Sequence, residues 1–359
     1  MTHNEITSRL RETDPERLER LWAEADAVRR ENVGDAVHLR GLIEISNCCA
    51  RTCLYCGLRG PNAKLDRYRM SDEEIVAAAR QAEELGYGTV VIQSGEDDAF
   101  TGERVAGFVR RIKAETPLAV TLSLGERTPE ELELWREAGA DRYLLRFETS
   151  DRKLYNRIHP PREGRPSNRF ALLRRLGELG YEVGSGVMVG IPGQTYDLLA
   201  RDIEWFADLD LDMVGVGPFI AHPGTPLGAG PAAVASAPPG EQVPATEEMT
   251  YKVVALTRLA CPRTNIPSTS ALATVNLAQG REFGLCRGAN VVMPNVTPAR
   301  YRAMYEIYPG KACINESAGD CARCIRARIE SLGRTIGTGR GDSPNLRRKL
   351  EGAAALRER

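Results

Sequence analysis

The sequence predicts an α/β protein built on a (β/α)8 barrel of the TIM type, with an N-terminal capping helix and a C-terminal extension. Short apolar segments alternate with helical patterns from residue 42 onward, and eight such segments fit into about 260 residues. Glycines such as Gly86, Gly139 and Gly180 end helices just before the next strand. A doubly wound open sheet is the alternative, and it requires a reversal of strand order.

Each strand of the predicted barrel is a short apolar run bounded by turn residues. The expected strands are 42–46, 89–94, 119–124, 142–147, 182–189, 213–219, 267–272 and 290–294. The helices between them are expected near 71–86, 101–115, 129–138, 168–179, 195–208, 246–260 and 278–285. Ser71 begins a capping box that ends at Glu74, and Thr128 followed by Pro129 is a typical helix start.

Four regions divide the chain. Residues 1–40 are expected to form the helical cap, because Asp14-Pro15 starts a charged amphipathic helix over 14–31. The barrel is expected over 41–310, a segment with a second group of cysteines over 311–335, and a flexible tail over 336–359. Within the barrel, residues 228–244 form a predicted surface loop of low complexity.

Composition and charge argue against several classes of protein. The chain has 359 residues, of which 42% are hydrophobic, and its 48 basic and 49 acidic residues give a net charge of −1. This balance does not favour a general nucleic-acid binder. The sequence has no apolar run of about 18 residues and no signal peptide at its polar N-terminus. We therefore expect a soluble, cytoplasmic protein that does not bind membranes.

Six of the nine cysteines lie in two short groups, which in a reducing compartment favours metal ligation over disulfides. The first group follows strand one and consists of Cys49, Cys53 and Cys56, with Cys-x3-Cys-x2-Cys spacing. Three thiolates can bind three irons of a 4Fe–4S cluster and leave the fourth iron open to a small molecule. A zinc site is the alternative, although zinc usually takes four ligands. Tyr55, inside this group, could pack against a planar ligand.

Charged side chains lie at the ends of strands two to four, where (β/α)8 barrels place their active sites. Glu96 follows strand two, Ser123 lies at the end of strand three, and alternation puts Arg146 and Glu148 of strand four on one face. A buried Arg–Glu pair is costly unless a polar ligand completes it, and an amino-acid moiety would do so. Arg169 is a further candidate for binding a carboxylate.

The ends of strands six to eight are nearly uncharged. Met213 begins strand six, Met293 lies in strand eight, and the seventh strand begins with the hydroxyl residues of 267–270. We interpret the charged half of the barrel mouth as a cofactor site, and the half formed by strands six to eight as a substrate site. For the two methionines, core filling is the simpler explanation. The second cysteine group could hold an accessory iron–sulfur cluster or a zinc ion; it consists of Cys313, Cys321 and Cys324.

Six stretches of the sequence resemble the HydE family of FeFe-hydrogenase maturases, a radical S-adenosylmethionine (SAM) group related to biotin synthase. They fall at strand ends in the order of that family, within residues 40–334, and are 44–59, 93–97, 120–126, 139–146, 212–219 and 288–295. The spacing of the first cysteine group is also that of radical SAM enzymes. Phe147 stands where a histidine is expected in this family, and it should face away from the barrel interior.

The resemblance implies a role for each candidate residue. Cys49, Cys53 and Cys56 would bind the 4Fe–4S cluster that chelates SAM, and Cys313, Cys321 and Cys324 match an accessory cluster in some members of the family. The residues implied for the SAM site are Glu96, Ser123, Arg146, Glu148, Arg169 and Met188. The residues implied for the substrate end are Met213, Thr269, Ser270, Met293, Tyr305 and Tyr308.

The same resemblance implies reductive cleavage of SAM to a 5′-deoxyadenosyl radical. This radical would act on an iron-bound cysteine complex with CO and cyanide, during assembly of the two-iron subcluster of the hydrogenase. The implied partners are a reductant protein such as ferredoxin or flavodoxin and other hydrogenase maturases. A methylornithine-synthase-like mutase and a biotin-synthase-like sulfur insertion are alternatives, and a non-catalytic Fe–S carrier is an alternative from another class.

Overall fold

A curled parallel sheet forms the centre of the chain. The structure is a computed structural model that describes residues 1–230 and 236–357. The strands are β1 Ala36–Ser46, β2 Thr89–Ser94, β3 Ala119–Ser123, β4 Arg142–Leu144, β5 Glu182–Val189, β6 Met213–Pro218, β7 Val291–Val292 and β8 Thr335–Ile336.

The strands follow one another around the sheet in the order β6-β5-β4-β3-β2-β1-β7, and β8 pairs with the start of β1. Parallel bridges join Met213 to Asn265 and Pro267 to Val291, so the extended segment around 265–267 connects β6 to β7. Each of the first six strands lies beside its neighbour in the chain without a reversal of order. This order excludes the doubly wound alternative and confirms the barrel-type α/β fold.

The predicted seventh strand, 267–272, is wrong in its second half. Only single bridges form around Pro267, and a helix begins at Ser270 with Thr269 as its extended N-cap residue. The hydroxyl of Thr269 donates to the carbonyl of Val216 on β6 and does not cap the helix, so contact with the neighbouring strand holds this turn. The hydroxyl residues therefore lie at a strand-to-helix turn that faces the C-terminal end of the barrel.

Helices form the outer layer, and the predicted caps are present at Asp14, Ser71 and Thr128. The N-terminal helices α1 and α2 pack against α8 and α9. In the described ranges, none of the helices is both long and apolar enough to cross a membrane. The helices are α1 His3–Arg11, α2 Pro15–Val33, α3 Asp72–Glu84, α4 Gly102–Glu115, α5 Pro129–Glu137, α6 Arg152–Ile158, α7 Arg169–Glu178, α8 Tyr196–Asp208, α9 Glu247–Ala260, α10 Ser270–Val275, α11 Gly280–Cys286, α12 Ala299–Arg302, α13 Ala318–Ser331 and α14 Pro344–Arg357.

Aromatic packing between β4 and the helices fixes the orientation of the strand end. The ring of Phe147 is buried and lies 5.0 Å from that of Phe170 on α7 and 5.6 Å from that of Phe206 on α8. Phe147 therefore faces the helical layer, as the alternation predicted. Its neighbours Arg146 and Glu148 are directed to the other side of the strand, towards the barrel interior.

The segment after β8 closes the N-terminal end of the barrel. The fully buried Arg142 donates to the carbonyl of Arg340 at 2.9 Å and to the carboxylates of Asp342 and Glu182, each at 2.5 Å. The flexible tail predicted over 336–359 is therefore wrong in its first part, and helix α14 follows. The physical reason is that buried arginines at the strand starts require partners, and this segment supplies them.

The predicted loop over 228–244 includes residues 231–235, which lie outside the described residues. At its C-terminal end Val243 is buried, and its amide donates to the carbonyl of Gln194 at 2.9 Å. The side chain of Gln242 donates to the carbonyl of Ile191 at 3.2 Å. This end of the segment therefore packs against the turn that precedes α8.

Gly88, just before β2, lies directly against the C-terminal segment. A Cβ atom at this position would be 1.6 Å from the carbonyl oxygen of Gly339. We expect Gly88→Ala to displace that segment and to lower the free energy of unfolding by about 1–3 kcal/mol, measured by urea denaturation.

Gly107→Ala is the matched control, because Gly107 lies in α4 and an added Cβ would meet no atom within 4 Å. Alanine favours the helix there, so this variant should gain about 0.5–1 kcal/mol. Equal stabilities of the two variants would contradict the close packing at Gly88.

Asp202 of α8 holds the loop after β4. Its Oδ1 accepts hydrogen bonds from the amide and the hydroxyl of Ser150, both at 2.6 Å. Burial raises the pKa of Asp202 from 3.8 to about 7. The folded state therefore binds this proton more tightly than the unfolded chain, and its stability falls as the pH rises from about 4 to about 7. Each unit of the pKa difference corresponds to about 1.4 kcal/mol.

We expect Asp202→Asn to remove this decline, because asparagine has no proton to lose. The free energy of unfolding, measured in urea at pH 5 and pH 8, should fall more in the wild type than in the variant. Asp208→Asn, at an exposed position of the same helix, should retain the wild-type dependence. Parallel curves for the wild type and Asp202→Asn would refute the assignment.

Candidate active site

A cavity of about 320 Å³ opens at the C-terminal ends of the strands. The ends of β1 to β6, the turn before α10 and the loop around 305–311 surround it. All but one of the candidate SAM and substrate residues, and the whole first cysteine group, line this cavity: Cys49, Cys53, Tyr55, Cys56, Glu96, Ser123, Arg146, Glu148, Arg169, Met188, Thr269, Ser270, Met293, Tyr305 and Tyr308.

Three cysteine thiols lie on the loop that follows β1. Cys53 is buried, whereas Cys49 and Cys56 are half-buried. The amide of Arg51 donates to the sulfur of Cys49 at 3.4 Å. Gly95 at the end of β2 allows the loop to approach closely, since an added Cβ would be 2.7 Å from the Cβ of Cys49. The second strand therefore supports the cysteine loop directly.

Burial raises the pKa of all three thiols, and raises that of Cys56 to about 12. A thiol loses its proton when it binds a metal ion, because the positive charge of the metal stabilises the thiolate. In a buried site, water cannot provide this stabilisation. Three soft sulfur donors directed at one cavity fit three irons of a 4Fe–4S cluster. A structural zinc site takes four protein ligands, which this loop does not supply.

Two arginines and two glutamates form a buried charge network beside the thiols. Arg51 lies between the first two cysteines and contacts Glu96 Oε2 at 2.5 Å and Glu126 Oε2 at 3.1 Å. Arg169 donates to Glu126 Oε1 at 2.9 Å. Burial would raise the pKa of Glu126, but Arg169 and Arg51 outweigh burial and lower it. The carboxylate therefore stays ionised inside the protein.

Arg146 and Glu148 face the cavity together, as the sequence predicted. Glu148 has a left-handed backbone with φ of 62°, and its Oε2 lies 3.3 Å from Arg146 Nη2. Within the described residues, Arg51 Nη1, Arg146 Nε and Glu148 Oε2 are buried and make no hydrogen bond. Buried polar atoms are normally paired, so these three atoms indicate a polar ligand.

The opposite half of the cavity carries hydroxyl groups. Ser270 Oγ lies 3.0 Å from Tyr308 Oη, and Gln93 donates to Tyr305 Oη at 3.2 Å. Thr269 donates its hydroxyl to the carbonyl of Val216 at 3.1 Å. These contacts fix the positions of five polar side chains around the predicted substrate end.

This half also contains charge that the sequence did not indicate. Lys311 and Glu44 form a buried ion pair that lines the cavity, and Asn295 donates to the same carboxylate at 2.8 Å. The expectation of an uncharged half is correct for the ends of β6 and β7 but misses this pair. Glu44 comes from β1, and Lys311 from the loop before the second cysteine group.

Met213 is the exception among the predicted cavity residues. It does not line the cavity, and its sulfur lies 3.0 Å from Nη1 of the buried Arg40. The assignment of Met213 to the substrate end is therefore wrong, because the first residue of β6 lies near the base of the barrel. Met293 lies at the cavity, as expected.

The second cysteine group lies outside the cavity. Cys321 is buried on α13, Cys324 is exposed on the same helix, and Cys313 is half-buried before it. The neighbouring Cys321 thiol and Arg281 lower the pKa of Cys313 despite its burial. Two nitrogens of Arg281 lie 3.5 and 3.6 Å from that sulfur.

Sequence reasoning assigned no role to three side chains at the site: Arg51, Glu126 and His159. The Gly125-Glu126 pair after strand three repeats the Gly95-Glu96 pair after strand two, and this repeat could have identified Glu126 as a site residue. His159 follows α6 in an irregular segment, and only packing brings its Nδ1 to 3.0 Å from the sulfur of Cys53. Burial lowers the pKa of His159 well below its ordinary value, so the ring is neutral.

Comparison with known proteins agrees with this geometry. The Radical SAM superfamily matches residues 43–206. The [FeFe] hydrogenase maturase subunit HydE of Thermotoga maritima is 48% identical over 319 residues, which cover 89% of this chain and 87% of that protein. The 3-methylornithine synthase of Methanosarcina acetivorans is 28% identical over 280 residues, 77% of this chain and 74% of that protein.

The solved structure of methylornithine synthase (PylB) has a TM-score of 0.76 at 24% identity and covers 94% of both chains, so the two proteins share a fold. The superfamily match spans the cysteine loop and the charged ends of β2 to β4. The chain is therefore a radical SAM enzyme, and it belongs to the family of the [FeFe] hydrogenase maturase subunit HydE.

Proposed function

We propose that this enzyme acts in the maturation of [FeFe]-hydrogenase, on an iron-bound cysteine complex with CO and cyanide that leads to the two-iron subcluster. One observation carries the proposal: three thiols share a cavity with buried charged atoms that make no hydrogen bond in the described part of the chain, in a protein 48% identical to a HydE subunit. When bound, the 4Fe–4S cluster supplies the electron that cleaves SAM into methionine and a 5′-deoxyadenosyl radical.

Cys49, Cys53 and Cys56 would hold the cluster, and the charged half of the cavity would bind SAM. Both oxygens of Glu96 are already engaged, by Arg51 and by the amide of Glu126. Glu148 Oε2 and Arg146 Nε make no hydrogen bond within the described part of the chain, so we assign them to SAM polar groups. The residues proposed to surround SAM are Tyr55, Glu96, Ser123, Arg146, Glu148, Arg169 and Met188.

An apolar cluster beside the cysteine loop would hold the adenosyl part of SAM. Met188 packs with Leu154 and Ile158 in this cluster, and Tyr55 and Phe219 lie against it. Aromatic and thioether groups suit a planar, polarisable ring. The surrounding barrel would exclude water from a reactive radical.

The hydroxyl-bearing half would bind the substrate. The proposed residues are Thr269, Ser270, Met293, Tyr305 and Tyr308. Lys311 and Glu44 extend this set, because their buried pair presents one charge of each sign to a ligand with amino-acid groups. A cysteine moiety bound to iron has such groups.

The same ion pair favours a second candidate function, a methylornithine-synthase-like rearrangement of an amino acid. Such a mutase requires polar groups around its substrate, and Ser270, Tyr308 and Lys311 provide them. The identity to the methylornithine synthase is 28%, against 48% to the HydE subunit, and this difference supports the first function. A biotin-synthase-like sulfur insertion has no such observation in its favour.

The proposal extends to the second cysteine group, to partners and to location. Cys313, Cys321 and Cys324 would hold an accessory iron–sulfur cluster away from the chemistry, as their position outside the cavity suggests. A reductant such as ferredoxin or flavodoxin would deliver the electron, and other hydrogenase maturases would receive the product. The nine cysteines are all free, which supports a reducing cytoplasmic compartment.

The two cysteine groups should differ in their effect on SAM cleavage. With iron-reconstituted, dithionite-reduced protein, the wild type should release 5′-deoxyadenosine from SAM. Cys53→Ala should reduce the rate at least about 100-fold, because the cluster loses a ligand, whereas Cys321→Ala should retain most of it. Chromatographic quantification of 5′-deoxyadenosine measures both rates.

Cys261→Ala is the matched control, because Cys261 is a buried thiol that does not line the cavity. It should cleave SAM at the wild-type rate. Loss of cleavage in Cys321→Ala at normal iron content would show that the second group takes part in the chemistry. A wild type that binds a cluster but forms no 5′-deoxyadenosine would overturn the proposed activity.

A further inference from the structure

His159 lies between the cysteine loop and the charge network. The residue ends α6 and is buried. Its Nδ1 lies 3.0 Å from the sulfur of Cys53, and its Nε2 lies 2.9 Å from Nη2 of Arg169. One imidazole ring therefore joins a proposed cluster ligand to a proposed SAM-binding arginine.

The contact with Arg169 determines which nitrogen of the ring carries the proton. A guanidinium group only donates hydrogen bonds, so Nε2 must accept one and the proton of the neutral ring must lie on Nδ1. The Nδ1–H group then points at the sulfur of Cys53 and donates to it. Tyr55 Oη, at 3.3 Å from the same nitrogen, is a weaker second partner.

The surrounding structure holds the ring in this position. Tyr155 stacks on it with ring centroids 5.0 Å apart and an angle of 27° between the planes. The amide of His159 donates to the carbonyl of Tyr155 at 2.8 Å. The amide of Leu54, in the cysteine loop, donates to the carbonyl of Ile158 at 2.8 Å, so the loop and the end of α6 are fixed to each other.

We propose that His159 is a positioning residue that donates a hydrogen bond to the Cys53 sulfur and raises the reduction potential of the cluster bound there. The inference rests on the proposed function, because it requires Cys53 to ligate a 4Fe–4S cluster. Reduction adds negative charge to the cluster, and a donor at a ligand sulfur stabilises that charge, more so in a buried site. Groups behind the ligands commonly tune metal centres in this way.

Arg169 extends this effect to the SAM site. Its guanidinium contacts Glu126 at 2.9 Å while it holds the ring nitrogen of His159. The chain Glu126–Arg169–His159–Cys53 therefore runs without a gap from the Glu126 carboxylate to the sulfur of the proposed cluster ligand. A ligand that binds Arg169 alters the contact between Arg169 and Nε2 of His159, and this contact fixes the tautomer of the ring. SAM binding is therefore linked to the reduction potential of the cluster.

Two substitutions of His159 separate the hydrogen bond from the packing. In His159→Asn the side-chain amide nitrogen occupies the position of Nδ1 and can donate to Cys53. In His159→Gln the amide reaches the position of Nε2, where it meets Arg169 and leaves the sulfur without its donor. Iron and sulfide contents, measured first, establish that each variant holds a cluster.

The measurement is an EPR-monitored redox titration of the cluster without SAM and with SAM. We expect His159→Gln to make reduction at least tenfold less favourable, which for one electron lowers the midpoint potential by about 59 mV. His159→Asn should stay near the wild-type value. A wild-type potential in His159→Gln, or equal shifts in both variants, would overturn the inference.

A measurement on the unmodified enzyme covers the case in which a variant assembles no cluster. Pulsed EPR of the reduced protein labelled with ¹⁵N-histidine should detect a weakly coupled imidazole nitrogen, and its absence would also overturn the inference. His159→Asn should remove the signal, which distinguishes it from the other three histidines of the chain. Failure of the proposed function is distinct, because the wild type would then bind no 4Fe–4S cluster or would not cleave SAM.

Discussion

The balance of four buried charges at the barrel mouth is the constraint on which the site depends. Arg51, Glu96 and Arg169 are buried, Glu126 is 11% exposed, and each contacts a partner of opposite sign. An unpaired charge in such a place costs several kcal/mol. Since Arg51 belongs to the cysteine loop, its pairing with the ends of β2 and β3 also determines where the three thiols lie.

Buried charged side chains lie at both ends of the barrel, but they have different roles at the base and at the mouth. At the base, Arg142 is satisfied by Glu182 and by Asp342 of the C-terminal segment, so that end is closed. At the mouth, Arg146 Nε and Glu148 Oε2 make no hydrogen bond in the described part of the chain. The unbonded atoms at the mouth belong to residues that line the cavity, so a ligand can reach them.

Hydrophobic alternation and cap residues predicted most of the fold, because six regular strands and their helices follow local rules. The prediction of the seventh strand failed, because residues 265–267 are positioned by single bridges to neighbouring strands and not by a hydrophobic pattern of their own. The prediction of a flexible tail after residue 335 failed for a related reason. Its sequence is polar and rich in glycine, and only the buried arginines of distant strands give it a fixed position.

At the site, spacing predicted the groups that lie on the loop or at strand ends, including the three cysteines, Arg146 and Glu148. It missed contributions that depend on long-range packing. Lys311 reaches Glu44 across most of the chain, and His159 reaches Cys53 from an irregular turn. Met213 was misplaced because its height within the barrel depends on the strand register, which sequence does not give.

The position of the closing segment along the chain bears on how the protein is made. Arg142 and the other base charges emerge from the ribosome long before residues 340–342, their partners. Until residues 340–342 have been translated, the N-terminal end of the barrel is open, and water must solvate the guanidinium groups at the strand starts. A nascent chain of this protein can therefore form its upper layers early, but it completes its lowest layer only after residues 340–342 have been made.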